Sequence, residues 1–251
     1  MPKLLKETSF ICLDCEATGL DPKNDRIIEI GCALFSFANG IEKQFESLIN
    51  PQCPIPNESF QIHNISDAMV QESPTIDQIL PELLQFIGSY PIVGHAIGFD
   101  LSLIQEEARR TKVPCSLDKN LSFDTLRLAR LYGESPSNSL QVLRNHFGIE
   151  EEGAHRAMGD VLVNIQVFQK LACHFKTVES VQKALNKPIA MKTMPLGKYK
   201  GRSFSELPLP FLQWASKQKF DEDLLFSIRS ELNKRKKKRN FQHSHNPFSI
   251  L

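Results

Sequence analysis

Hydrophobic positions along the first hundred residues switch between the two-residue period of strands and the wider spacing of helices. "SFICLDCE" over 9–16 is an apolar run of strand length, and the following "GLDPKNDR" carries the Gly, Pro, Asn and Asp of a turn. "IIEIGCALFSF" predicts a second strand and "KQFESLINP" a third, closed by Pro51. Two short turns among three strands imply antiparallel neighbours. "PTIDQILPELLQFIGS" changes to helical spacing at Ile76, Ile79, Leu80, Leu83 and Leu84, with Pro81 marking a kink. "PIVGHA" reads as a fourth strand, "FDLSLIQEEARRTK" as a helix starting near Asp100, and "LSFDTLRLARLY" as a short strand running into a helix. "SLQVLRNHFGI" and "HRAMGDVLVNIQVFQKLACHF" are further helices, the second apolar at Val161, Leu162, Ile165, Phe168 and Leu171. A hairpin-rich start followed by alternating strands and helices predicts an α/β domain with a mixed sheet over residues 8–176.

Beyond it, "TVESVQKALNK" predicts a short helical or linker segment, with the linker drawn at 177–190. Residues 191–235 form a second, small unit, in which Gly197 and Gly201 predict a hairpin ahead of two short helices. On a hairpin strand Lys198, Lys200 and Arg202 would share one face, opposite Tyr199. A basic strip beside aromatics suits single-stranded nucleic acid; a solvated face over core aromatics is the plainer alternative, and Trp214 reads as core. Residues 236–251 read as a basic, disordered tail.

Composition narrows the class. Hydrophobic residues at 41% and charged residues at 24% are ordinary for a globular protein. No apolar run approaches the ~18 residues that span a bilayer. The first sixteen residues lack a long apolar stretch and a small-residue cleavage site, which predicts a cytoplasmic protein with no membrane partner. The net charge of +1 hides an asymmetry, because six consecutive cations at 234–239 leave −5 for the rest. Such a run either aids solubility or draws phosphates. Six cysteines are scattered, at 12, 15, 32, 53, 115 and 173. Cys12 and Cys15 make a CxxC, but residues three apart on a strand face opposite sides and cannot share a zinc ion. Reduced core thiols fit better.

The chemistry lies in the acids. Asp14 and Glu16 sit two apart inside the first strand, so both point to one face. Like charges that close repel, and burial adds to the cost. A cation must lie between them, or a proton on one. Asp100 follows the fourth strand, where α/β sheets place functional groups. His155 and Asp160 would stand about 140° apart on one continuous helix, so they serve one site only if His155 precedes the helix. An imidazole held there suits a general base beside a metal centre. Each acid taken singly is also compatible with a cap or a surface position. As a set, four carboxylates without matching His or Cys ligands favour two hard divalent cations, Mg²⁺ or Mn²⁺.

"DCEATGL", "HAIGFD" and "HRAMGD" resemble the three motifs of the DEDDh, or DnaQ-like, 3′–5′ exonucleases. That superfamily includes the polymerase III epsilon proofreading subunit, exodeoxyribonuclease X, ribonuclease T and oligoribonuclease. "DRIIEIG" at 25–31, "IHNI" at 62–65 and "FDTLRLAR" at 123–130 match as well, and the resemblance covers residues 8–175. It implies a ribonuclease H-like fold with a five-stranded mixed sheet. By the same resemblance Asp14 bridges two divalent cations, Glu16 and Asp160 complete the tighter site, and Asp100 helps hold the second. His155 takes a proton from the attacking water. Thr18 lies near the terminal 3′-hydroxyl, Leu20 wedges against the terminal base, and His63 lies near the substrate or is an ordinary loop histidine. Two positions depart from the pattern: Ala17 stands where Thr is frequent, and Ala96 where an Asn usually contacts the substrate backbone. The second departure implies lower activity or altered preference.

The segment 191–235 is similar to the small module at the end of exodeoxyribonuclease X-like proteins. Together these features imply an enzyme that removes nucleotides from single-stranded or frayed DNA 3′ ends, in repair or in proofreading with a replicative DNA polymerase as partner. An RNA exonuclease and a catalytically silent nucleic-acid scaffold are the alternatives. "QKALNK" lacks the terminal aromatic or leucine of a clamp-binding peptide.

Overall fold

The computed structural model describes residues 2–135, 137–150 and 156–244, the last seven of these by backbone alone. Strand β1 (Ser9–Ala17) pairs antiparallel with β2 (Ile27–Ser36), which pairs antiparallel with β3 (Gly40–Leu48). Helices α1 (Asn57–His63), α2 (Asp67–Val70) and α3 (Ile76–Ile87) lead to β4 (Ile92–Gly94), which lies parallel to β1. Helix α4 (Gly98–Thr111) then crosses to β5 (Ser122–Asp124), parallel to β4. Helices α5 (Thr125–Tyr132), α6 (Leu140–Phe147), α7 (Ala157–Ala172) and α8 (Val178–Leu185) complete the region. The sheet order is β3-β2-β1-β4-β5. This is the five-stranded mixed sheet of an α/β, ribonuclease H-like fold.

Strand alternation splits the core in two. On one face Phe10, Cys12 and Phe35 pack under Val161, Phe168 and Leu171 of α7 and Leu143 of α6. Ile11, Leu13, Cys15 and Cys32 face the other way, onto Leu80 and Leu83 of α3 and Leu103 and Ile104 of α4. Cys12 and Cys15 therefore lie on opposite faces, and all six cysteines are unpaired thiols. Both faces of β1 are covered, so anything polar at its even positions must be answered by α7 or by a ligand.

Three segments differ from what the hydrophobic pattern predicts. The span 177–190 is no simple linker: α8 inserts Val178, Val181 and Leu185 into the same core as Phe10 and Phe168. Helix α3 runs unbroken past Pro81. The tail expected at 236–251 is helical over 236–244, where α10 (Glu222–Ser244) continues through the basic run, and 245–251 lie outside the described residues. Lys and Arg are good helix formers, and neither Gly nor Pro interrupts the chain there.

The chain divides into two compact units between Leu185 and Asn186. In the second, Met194, Phe204 and Leu207 pack with Leu212 of α9 (Leu209–Ala215) and with Leu224 and Ile228 of α10. Arg235 pins α10 by donating to the carbonyls of Phe204, Ser205 and Leu207. The expected hairpin is instead a single bridge, Thr193 to Ser203, around a 3₁₀ turn at Gly197–Tyr199. Gly197 and Gly201, at φ of +69° and +83°, supply the left-handed backbone this tight loop requires. Among the described residues, no helix is long and apolar enough to cross a membrane.

Candidate active site

Asp14 and Glu16 close the face of β1 that looks toward α7. Opposite Asp14 in the register stands Gly31 of β2. A Cβ at Gly31 would lie 2.5 Å from the carbonyl carbon of Ala157 and 2.6 Å from the nitrogen of Met158. The bare glycine thus admits the N-terminal turn of α7 directly onto the sheet. That turn carries Asp160, and the site follows: ligand oxygens of Asp14, Glu16 and Asp160 all lie within 4.8 Å of one another. Asp100, in the first turn of α4 and nearly fully buried, accepts a hydrogen bond from the Cys15 N–H at 3.0 Å. This bond fastens the fourth acid to the strand segment between Asp14 and Glu16. The acids thus gather at the carboxyl ends of β1 and β4, the usual functional edge of an α/β sheet.

The electrostatics of this cluster are those of crowded carboxylates that favour a cation among them. Burial, then Asp100, Asp160 and Glu16, push the Asp14 carboxyl well above its ordinary range. Glu16 is pushed up to about 8 by burial and by Asp160, Glu29 and Asp100, against a smaller opposing pull from Arg156. Asp100 rises to about 7, chiefly through burial, with the Cys15 N–H holding it back. Each shift means that charge on these groups needs a positive partner. Crowded carboxylate oxygens, with no thiolate or imidazole grouped with them among the described residues, suit a hard divalent cation. The residues present fit such an ion.

One functional pair escapes the sequence reading. Glu29, opposite Glu16 in the register, is completely buried. It accepts from Arg156 Nε at 2.9 and 3.1 Å, from Arg156 Nη2, and from the Ala157 N–H at 2.9 Å. The pair ties β2 to the residue just ahead of α7, and Arg156 draws the proton affinity of Glu16 downward. A lone Glu inside the otherwise apolar "IIEIGCALF" was the available signal.

Of the other predicted residues, Leu20 is 88% exposed and free to meet a ligand. Thr18 is buried, and its hydroxyl is engaged internally, donating to Asp25 Oδ1 and accepting from the Arg26 N–H, both at 3.0 Å. The Thr18 carbonyl accepts from Ser59 Oγ at 2.6 Å, which joins α1 to the end of β1. His63 is buried on α1; its Nδ1 accepts from the Ile65 N–H, so Nε2 carries the proton, and no partner meets that atom among the described residues. Burial lowers the His63 pKa, keeping the ring neutral. His155 lies outside the described residues; α7 begins at Ala157, with Arg156 extended before it. Ala96 adopts φ of +58°, a left-handed conformation that Asn tolerates better than Ala. Behind the site, His95 Nδ1 meets Thr125 Oγ1 at 3.0 Å, and Thr125 donates to Asn164 Oδ1 at 2.6 Å, linking the end of β4 to α5 and α7.

A carboxylate cluster at the strand ends of this fold defines a nuclease-type hydrolase. The exonuclease family model matches residues 11–168, and the chain belongs to that family, within the DEDDh, DnaQ-like 3′–5′ exonuclease superfamily. Among curated relatives, DNA polymerase III subunit epsilon of Aquifex aeolicus is 30% identical over 177 residues, covering 68% of this chain and 86% of that protein. The PolC-type DNA polymerase III of Caldanaerobacter subterraneus is 32% identical over 166 residues, which are 66% of this chain but 12% of that much longer protein. Among solved structures, E. coli exonuclease I in complex with a dT13 oligonucleotide superposes with a TM-score of 0.60 at 17% identity, covering 66% of this chain and 41% of that one. Exonuclease X in complex with 5′ overhanging duplex DNA superposes at 0.53 and 22% identity, covering 70% and 99%. Both confirm the fold. Residues 182–227 match a second family, described as a putative quorum-sensing-regulated virulence factor.

Proposed function

We propose that this protein is a 3′–5′ exonuclease that hydrolyses phosphodiester bonds at DNA 3′ ends and releases nucleoside monophosphates, in proofreading or repair. The observation that carries the reading is the meeting of Asp14, Glu16 and Asp160 within 4.8 Å, with Asp100 fastened to the same strand end. These four acids would hold two divalent cations, Mg²⁺ or Mn²⁺. When bound, such a pair activates water and stabilises the leaving oxygen of an in-line displacement. The remaining roles fall to the chain itself. His155, just ahead of α7, accepts the proton of the attacking water, as its motif in the family suggests. The Glu29–Arg156 pair holds that segment against β2. Leu20 packs against the terminal base, and Thr18 shapes the turn beside the 3′-hydroxyl through its bonds to Asp25 and Arg26. His63 offers the substrate its Nε2–H. A replicative polymerase is a fitting partner, given the epsilon relative, and a cytoplasmic setting suits six free thiols.

The test is digestion of single-stranded DNA and RNA labelled at either end, with Mg²⁺, with Mn²⁺ or with chelator. A 5′-labelled DNA strand should shorten stepwise from its 3′ end, chelator should stop it, and Asp14→Ala should abolish both digestion and divalent-ion uptake. An RNA strand shortened in preference to DNA would reassign the substrate. Full activity in Asp14→Ala would remove the site.

A further inference from the structure

The two units carry opposite charge. Residues 1–185 hold 24 Asp and Glu against 16 Lys and Arg, a net of −8, whereas residues 186–251 hold 14 Lys and Arg against 5 acids, a net of +9. A net-acidic unit offers a polyanion little long-range attraction. The long-range electrostatic share of affinity for a strand therefore falls to the second unit.

The second unit has a surface built for that task. Trp214 was expected in the core, but on α9 it is 54% exposed. Its ring lies 5.7 Å from that of Phe211, and Phe211 lies 4.6 Å from Tyr199, so three aromatic rings run in sequence. Lys198 Nζ stands 4.9 Å from the centre of the Tyr199 ring, and the Arg202 guanidinium 5.9 Å. The expected strand, with cations on one face and Tyr199 on the other, does not form. The loop bent at Gly197 and Gly201 sets both cations over the ring instead. Lys198 and Arg202 are exposed, and among the described residues neither enters a salt bridge. The one tryptophan of this unit thus lies largely in solvent near exposed cations. Tyr199 and Phe211 are half-buried against the core of this unit and support the exposed Trp214 ring, and an open ring face next to groups that bind phosphate is what a single strand of nucleic acid requires.

We propose that Tyr199, Phe211 and Trp214, with Lys198 and Arg202, form a single-stranded nucleic-acid binding surface that holds the strand for the exonuclease unit. The reading takes nucleic acid as the substrate class from the function proposed above. Base stacking on Trp214 supplies contact without sequence preference, and the two cations supply a salt-dependent share.

Trp214 is the only tryptophan in the chain, so its fluorescence reports this surface alone. The full chain, in chelator so that no hydrolysis occurs, is titrated with a dT20 oligonucleotide at several salt concentrations. Emission should be quenched on binding, and Trp214→Ala, followed by competition with a labelled strand, should lose about fivefold or more in affinity. Trp214→Phe should keep most of the affinity, which separates stacking from a folding defect. Lys198→Ala with Arg202→Ala should weaken binding and reduce the salt slope by about 1.4, the value for two phosphate contacts on a single strand. Unchanged emission with dT20, or dT20 affinity within twofold of the parent in both Trp214→Ala and the Lys198→Ala/Arg202→Ala double variant, overturns the proposal and leaves the surface to a protein partner. Because binding is read without metal, a silent active site and a silent binding surface give different results.

Discussion

Arg156 is the position where removing one side chain should disturb both stability and chemistry, by different routes. The Arg156→Ala change deletes three hydrogen bonds to Glu29 and leaves that fully buried carboxylate, among the described residues, with the Ala157 N–H as its remaining donor. Breaking a buried pair by removing one partner costs about 3–5 kcal/mol. The Arg156 side chain is 40% exposed, so water reaches the vacated space and the expected loss falls to about 2–3 kcal/mol. Glu29→Gln should cost less, since the amide keeps an acceptor for one donor. The double variant Glu29→Gln/Arg156→Met removes the charge along with its partner and should recover at least ~1 kcal/mol relative to Arg156→Ala. Urea unfolding of the four proteins in chelator measures this coupling directly. The chemical consequence is separate: Arg156 is a positive charge that lowers the Glu16 pKa, and a field that disfavours a proton disfavours a doubly charged ion more, so divalent-ion affinity near pH 7 should rise in calorimetric titration when Arg156 is lost. Additive losses below ~1 kcal/mol, with unchanged ion affinity, would refute the view that this pair holds the start of α7 and tunes the acids.

Three further outcomes follow from the same structure. In chelator the folded chain keeps protons on Glu16 up to about 8 and on Asp100 up to about 7, well above their unfolded values, so this contribution to stability is complete below about pH 4 and is lost as pH rises to 8. The Glu16 share, trimmed for partial solvent access, is about 2–3 kcal/mol. Thermal melts from pH 5 to 8.5 should show the loss without divalent ions and its disappearance with them; a flat profile in chelator would count against the crowding of the acids. Gly31→Ala drives a methyl group into the backbone of Ala157 and Met158 and should cost about 2–3 kcal/mol, with activity falling further than stability because Asp160 moves with α7. Denaturation and digestion rates measured side by side check both parts. Ala96→Asn places a residue suited to the left-handed backbone at φ of +58° and should raise the unfolding free energy by about 0.5–1 kcal/mol, while Ala96→Val should lower it.

What the sequence determined by itself is local or periodic. The two-residue alternation of "FICLDCEA" and the helical spacing of "VLVNIQVFQKLA" led to the mixed sheet and its covering helix, and Asp14, Glu16, Asp100 and Asp160 were visible because charge inside an apolar run has no cheap explanation. What only the tertiary structure decided is who answers whom across the chain. Glu29 and Arg156 are 127 residues apart, and nothing in either segment names the other. Pattern also cannot distinguish a tryptophan that faces a core from one that faces water, since α9 is seven residues long and both sides of it carry large apolar groups. The helical course of 236–244 escaped because an exposed chain end reads as disorder by default, although the same residues favour a helix once Arg235 anchors the segment to the unit's core. Alternation specifies which face a residue takes. The partner waiting on that face is set by packing between distant segments.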